Sequence, residues 1–181
     1  MGAKHSHSLG REDLYESPIS DTMNVRFVEN HIIIDRPVGA VYDWMTTWSN
    51  LSKWLPVARA VEVLKGLPDS PALLGDELFE QVNVDTPPKH YTVVARIPGT
   101  LWTVAGQDAP NGTPDGRISW VATFVTQARG FGRTLFCRQF QSIRRDGDDS
   151  MERHAVENPR IIQSSLESLK HVIELKLPQI E

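Results

Sequence analysis

The chain has 181 residues, 40% hydrophobic and 23% charged, with 19 basic against 23 acidic residues and a net charge of −4. That is an ordinary globular mixture for about one domain, and it excludes a disordered chain, a collagen-like repeat and a disulfide scaffold. Without a basic excess no nucleic-acid partner is expected, and the single cysteine, Cys137, excludes an intrachain disulfide and any four-cysteine zinc site.

Residues 1–23 show neither a strand nor a helix period and read as a flexible polar tail. His5 and His7 form a His-x-His pair there, given no function. No h-region precedes the body, and no apolar run approaches the roughly 20 residues that span a bilayer, so a cytoplasmic protein without a membrane span is expected.

Residues 25–35 are β-branched and largely apolar, which predicts a strand with a buried middle. Asp35 offers a helix cap and Pro37 suits a first turn. Val38, Val41, Tyr42 and Met45 then follow at helical spacing, and Leu51, Trp54 and Leu55 form a second short turn ended by Pro56. Strands are expected at 57–64, 75–85, 89–97, 100–107, 117–127 and 132–143, separated by Gly- and Pro-rich turns. Connections this short require antiparallel neighbours, hence a meander. At the C-terminus Asn158 and Pro159 suit the cap and first position of a helix. Its stripe of Ile161, Ile162, Leu166, Leu169, Val172, Ile173 and Leu177 needs a curved sheet to bury it.

This order, together with Ile34-Asp35-Arg36-Pro37-Val38-Gly39-Ala40-Val41-Tyr42-Asp43-Trp44 and Asn50-Leu51-Ser52-Lys53-Trp54-Leu55-Pro56, resembles the SRPBCC superfamily over about residues 24–178. Within it the chain is most like the polyketide cyclase/dehydrase and lipid-transport group. The resemblance implies one α+β domain with the helix-grip fold: a seven-stranded curved antiparallel sheet wrapped around the long C-terminal helix. Two short helices follow strand 1, and an apolar cavity lies between sheet and helix. It also implies a small hydrophobic or amphipathic ligand of lipid, polyketide or aromatic type. Fold alone does not choose between carrier, cyclase/dehydratase enzyme and interaction module of the chaperone-activator type. No cofactor and no metal are expected, and homodimerisation is left open.

Strand alternation nominates the lining. Thr134, Phe136, Arg138 and Phe140 share one face, and its two phenylalanines make it the expected inner one. Arg138 would then be an inward cation needing a carboxylate or a ligand oxygen, as polar groups on the last strands do in aromatase/cyclase relatives. The alternative is an exposed or salt-bridged arginine. Trp120 and Phe124 are candidate walls, and Trp54, Phe79 and Trp102 complete the ligand-contact set.

On 89–97, His90, Thr92, Val94 and Arg96 alternate with Tyr91, Val93, Ala95 and Ile97. The second set is the better core material, so the polar set is expected to face out. Facing in, His90 and Arg96 would supply a base and an anion clamp beside Arg138. Glu80–Arg138 and Glu77–Arg96 are conceivable pairs. His154 with Glu152 and Glu157 is a weak metal motif, acidic residues beside a helix start being macrodipole partners more often. No nucleophile motif is present.

Overall fold

The computed structural model describes residues 24–54, 60–81, 88–109, 113, 116–144 and 159–178. The tail at 1–23, Leu55, Pro56, Asn158 and the His154 motif lie outside them. Seven strands run β1 (Asn24–Ile34), β2 (Ala60–Lys65), β3 (Glu77–Gln81), β4 (Lys89–Ile97), β5 (Leu101–Asp108), β6 (Ile118–Arg129) and β7 (Arg133–Arg144). Helix α1 (Val38–Thr46) leads through a 3₁₀ turn, Trp48–Asn50, into the one-turn α2 (Leu51–Trp54), and α3 (Pro159–Lys176) closes the domain.

All strands form one antiparallel sheet in the order β1-β7-β6-β5-β4-β3-β2. It is the expected meander from β2 to β7, with β1 added on the far side of β7. This is the helix-grip architecture. The hairpins β2–β3, β4–β5 and β6–β7 all turn at one end of the sheet, where β1 also finishes.

Two boundaries correct the expectations. β3 begins at Glu77 because Gly75 adopts φ +80° and Asp76 turns its carboxylate back onto the Leu73 N–H at 2.8 Å. Pro37 is the N-cap of α1 and not its first residue, its carbonyl accepting the Val41 N–H at 3.0 Å. Asp35 therefore caps nothing, and its carboxylate lies 3.8 Å from the Lys170 ammonium.

Leu166, Leu169 and Ile173 on α3 are fully buried, each worth about 1.5–3 kcal/mol of apolar transfer. α3 packs chiefly on β1 and α2, while α1 packs on β6 and β7.

The grip has a specific fastener. Arg36 is buried, and its guanidinium donates to the carbonyls of Leu177 (2.6 Å), Glu174 and Asp35 at the open C-terminal end of α3. A cation there also complements the helix dipole. The Thr134 hydroxyl fixes the Arg36 carbonyl at 2.7 Å. Lys170 links α3 to the same corner through the Ile33 carbonyl at 2.8 Å and through Glu174.

Candidate functional site

Register identifies the face that looks toward α3. Ile32↔Phe136, Asn30↔Arg138 and Val28↔Phe140 join β1 to β7, and Phe124↔Arg138, Ala122↔Phe140 and Trp120↔Ser142 join β7 to β6. Trp102↔Phe124, Val104↔Ala122 and Gly106↔Trp120 continue it to β5. These residues are mostly buried, whereas Phe27, Glu29, His31 and Ile33 of β1 are exposed on the convex side.

An aromatic wall covers this concave face. Trp102 stacks on Phe124 at 5.1 Å and Trp120 on Phe140 at 5.5 Å. Trp54 meets Phe124 edge-on at 6.4 Å, and Phe136 lies 5.9 Å from Phe124. Trp120 lies flat over the backbone of Gly106, where an added Cβ would come 2.0 Å from its Cε2. Only glycine admits the ring so close.

Arg138 sits in the middle of this wall, with its guanidinium carbon 5.6 Å from the Phe124 centroid and 5.5 Å from that of Phe140. Burial pushes its pKa down from 12.5 to about 10, while Tyr91 and Glu80 pull it back up. Among the described residues the buried Nε has no hydrogen-bond partner and no carboxylate lies within ion-pair distance of the guanidinium. The Arg138 residue is nevertheless only half-buried, although it stands on the concave side of a strand flanked by neighbours on both edges.

A polar group adjoins it. Leu78↔Tyr91 and Glu80↔Lys89 put Tyr91, Glu80 and Lys89 on the same concave face. There the Tyr91 hydroxyl donates to Glu80 and Lys89 pairs with Asp108. Tyr91 also sits edge-on to Trp120 at 4.8 Å. The lining thus carries more charge than an apolar cavity implies.

β4 departs from strict alternation. Its pairing with β5 slips between Val93 and Ala95, so His90 and Arg96 fall on opposite faces. Arg96 pairs in register with Trp102 and turns inward, beside the Tyr42 hydroxyl. Burial raises the Tyr42 pKa, and Arg96 partly offsets the rise. The expectation that the polar set faces out holds for His90 and fails for Arg96, because a bulge inverts alternation beyond it. His90 is on the convex side, 6% exposed, with Nε2 3.1 Å from Glu77 Oε2. It cannot serve as a base beside Arg138, and Glu77 is not available to Arg96.

Phe79 also corrects its assignment. It pairs in register with His90, packs edge-on against that ring at 5.3 Å, and leaves the concave position to Leu78 and Glu80. Trp54, Trp102, Trp120, Phe124, Phe136, Phe140 and Arg138 are brought together, as Phe79 and His90 are not. Tyr91 and Tyr42, read from the sequence as core filler and helix face, are the polar groups missed there. A tyrosine at an inward position is the signal that could have found them, since a buried hydroxyl demands a partner.

Besides Arg138, five buried donors on or beside this wall lack a hydrogen-bond acceptor: Arg96 Nε and the indole N–H groups of Trp48, Trp54, Trp102 and Trp120, Trp48 lying 5.3 Å from Trp102. A buried donor without a partner costs about 1–3 kcal/mol. Among the described residues, no three His, Cys, Asp or Glu side chains gather as a metal site, and no helix is long and apolar enough to cross a membrane.

A terminal helix held in a curved antiparallel sheet with an aromatic concave wall defines a helix-grip protein of the SRPBCC superfamily. The chain belongs to the family described as polyketide cyclase / dehydrase and lipid transport, whose profile matches residues 26–174. Among solved structures it is similar to the Zhui aromatase/cyclase from Streptomyces sp. R1128, with 14% identity, a TM-score of 0.62, and 86% of this chain and 97% of that one covered. It is also similar to Ara h 8.0201, at 10% identity and TM-score 0.58 over 83% of this chain and 98% of that one. A protein from Chromobacterium violaceum aligns at 17% identity and TM-score 0.55, covering 82% of this chain and 97% of that one. At these identities the likeness concerns the fold. No curated protein sequence matches the chain.

Proposed function

We propose that this protein holds a small amphipathic molecule of lipid, polyketide or aromatic type between the concave face and α3, with its oxygen atoms directed at Arg138. The observation that carries this reading is the set of unsatisfied donors on an otherwise aromatic wall. Six N–H groups without acceptors, against the acceptor Asn30 Oδ1 opposite Arg138, favour a guest rich in carbonyl, carboxylate or phenolic oxygens over a hydrocarbon. The partial accessibility of Arg138, and a helix that packs mainly on β1 and α2, support room for that guest. The family match over 26–174 supports one domain spanning about residues 24–178.

The test is fluorescence titration, since the wall tryptophans report occupancy. A long-chain fatty acid and an aromatic polyketone should quench or shift emission, with the matching oxygen-free hydrocarbon at least tenfold weaker, and Arg138→Met should abolish the difference. Equal affinity for acid and hydrocarbon, or no response to any probe, would overturn the reading. Mass spectrometry of molecules extracted from protein made in its native host identifies the guest.

A second reading, a cyclase/dehydratase acting on carbonyl substrates, is favoured by the Tyr91–Glu80 hydrogen bond beside the Arg138 cation. A polarising cation next to a proton-exchanging pair is what aldol closure and water loss require. If this holds, Glu80→Gln should abolish turnover of a polyketone while leaving its binding intact.

A further inference from the structure

The β6–β7 hairpin carries a feature with no role in the hollow. Its tip is Arg129-Gly130-Phe131-Gly132-Arg133, and Phe131 is 98% exposed. Phe131 is also the only non-glycine residue at positive φ among those described, at 64°. The left-handed region costs a bulky residue roughly 1–2 kcal/mol, and glycine would relieve it. Folding explains neither the exposure nor the strain.

The flanking arginines add a second anomaly. Arg129 and Arg133 are direct cross-strand partners on the convex side, and like charges placed opposite each other destabilise a hairpin. Both are exposed, and among the described residues neither has a carboxylate within ion-pair distance; Arg133 donates to the Gly130 carbonyl at 3.4 Å. Residues 125–135 contain no acid, in a chain whose net charge is −4. The neighbouring turns at the same end present Ile97, Leu67, Leu73 and Leu74 to solvent.

We propose that this end of the sheet docks on an anionic membrane surface, with Phe131 as the apolar anchor and Arg129 and Arg133 on the lipid phosphates. The dimensions agree. Phe131 stands two residues beyond each arginine, about 7 Å at roughly 3.3 Å per residue. Apolar anchors at bilayer interfaces sink about 5–10 Å. With the ring at the acyl boundary, both guanidiniums lie among the headgroups, and the like-charge pair gains the anions it lacks in solution.

The experiment is co-sedimentation of the full chain with vesicles of phosphatidylcholine alone or mixed with phosphatidylglycerol. The protein should pellet with the anionic vesicles only, and added salt should release it. Phe131→Gly should weaken binding at least tenfold while raising thermal stability, because it removes the backbone strain, so misfolding cannot account for the loss. Arg129→Gln and Arg133→Gln should each weaken it about fivefold. Ile118→Ser, at the opposite end of β6, should bind as the parent does. No pelleting with anionic vesicles, or pelleting indifferent to Phe131→Gly, overturns the proposal. So does arginine-dependent capture by poly-glutamate without vesicle binding, which would assign the hairpin to an acidic protein.

Discussion

Replacing Arg138 with methionine should make the protein more stable and less able to bind. The guanidinium is pushed from 12.5 to about 10 by its surroundings. At about 1.4 kcal/mol per pKa unit, holding it charged there costs roughly 3 kcal/mol. Its contacts with the Phe124 and Phe140 rings return about 0.5–1 kcal/mol each. Methionine fills similar space without a charge, so a net gain of about 1–2 kcal/mol is expected, in line with other replacements of buried ions. Urea denaturation followed by far-UV circular dichroism reads the gain as a raised midpoint at unchanged slope. Titration with a fatty acid reads the loss of binding. A variant destabilised by more than about 1 kcal/mol, with unaltered affinity, would refute the reasoning, because the cation would then serve the fold and not a guest.

Gly106→Ala should cost about 2–4 kcal/mol, since the methyl displaces the Trp120 ring and breaks its contacts with Phe140 and Tyr91; a thermal melt checks it. Arg36→Met strands carbonyls at the end of α3 and should lose about 2–4 kcal/mol, with hydrogen exchange in α3 accelerating before that of β5 and β6. Burial pushes the Glu174 pKa up, but the Asp35 N–H, Lys170 and Arg36 outweigh it and hold it below the ordinary carboxylate range. Its contribution to stability is therefore full above about pH 4.3 and disappears as pH falls through the lower folded-state pKa. Glu174→Gln should flatten that part of the pH–stability curve, seen in acid titrations of the two proteins.

Most of the architecture was legible because the periodicities are clean where one face is buried. Thr134, Phe136, Arg138 and Phe140 alternate without interruption over β7, as Trp120, Ala122 and Phe124 do over β6, so the inner face could be assigned before the register was known. The stripe on α3 was equally plain. In Glu77-Leu78-Phe79-Glu80-Gln81 both faces hold one apolar residue beside polar ones. The larger aromatic drew the assignment to Phe79, whereas register with Tyr91 buries Leu78 and Glu80. β4 was unreadable for a different reason: nothing in Val93-Val94-Ala95 marks the slip, which arises from fitting β4 to β5. The pairing of Tyr91 with Glu80 likewise depends on two strands meeting, and no single strand contains it.

The slip at Val94 also bears on how such a lining can change. Upstream of it, odd-numbered side chains of β4 face the concave side; downstream, even-numbered ones do. Flattening the bulge, so that Val94 pairs with Thr103 and Ala95 with Trp102, would restore simple alternation. It would swing Arg96 out to solvent while drawing Ala95 in, whereas deleting Val94 would leave Arg96 opposite Trp102 and facing inward. A one-residue change of register at this bulge therefore exchanges a cation for a methyl group on the concave face, a larger change than most point substitutions on the same strand could make.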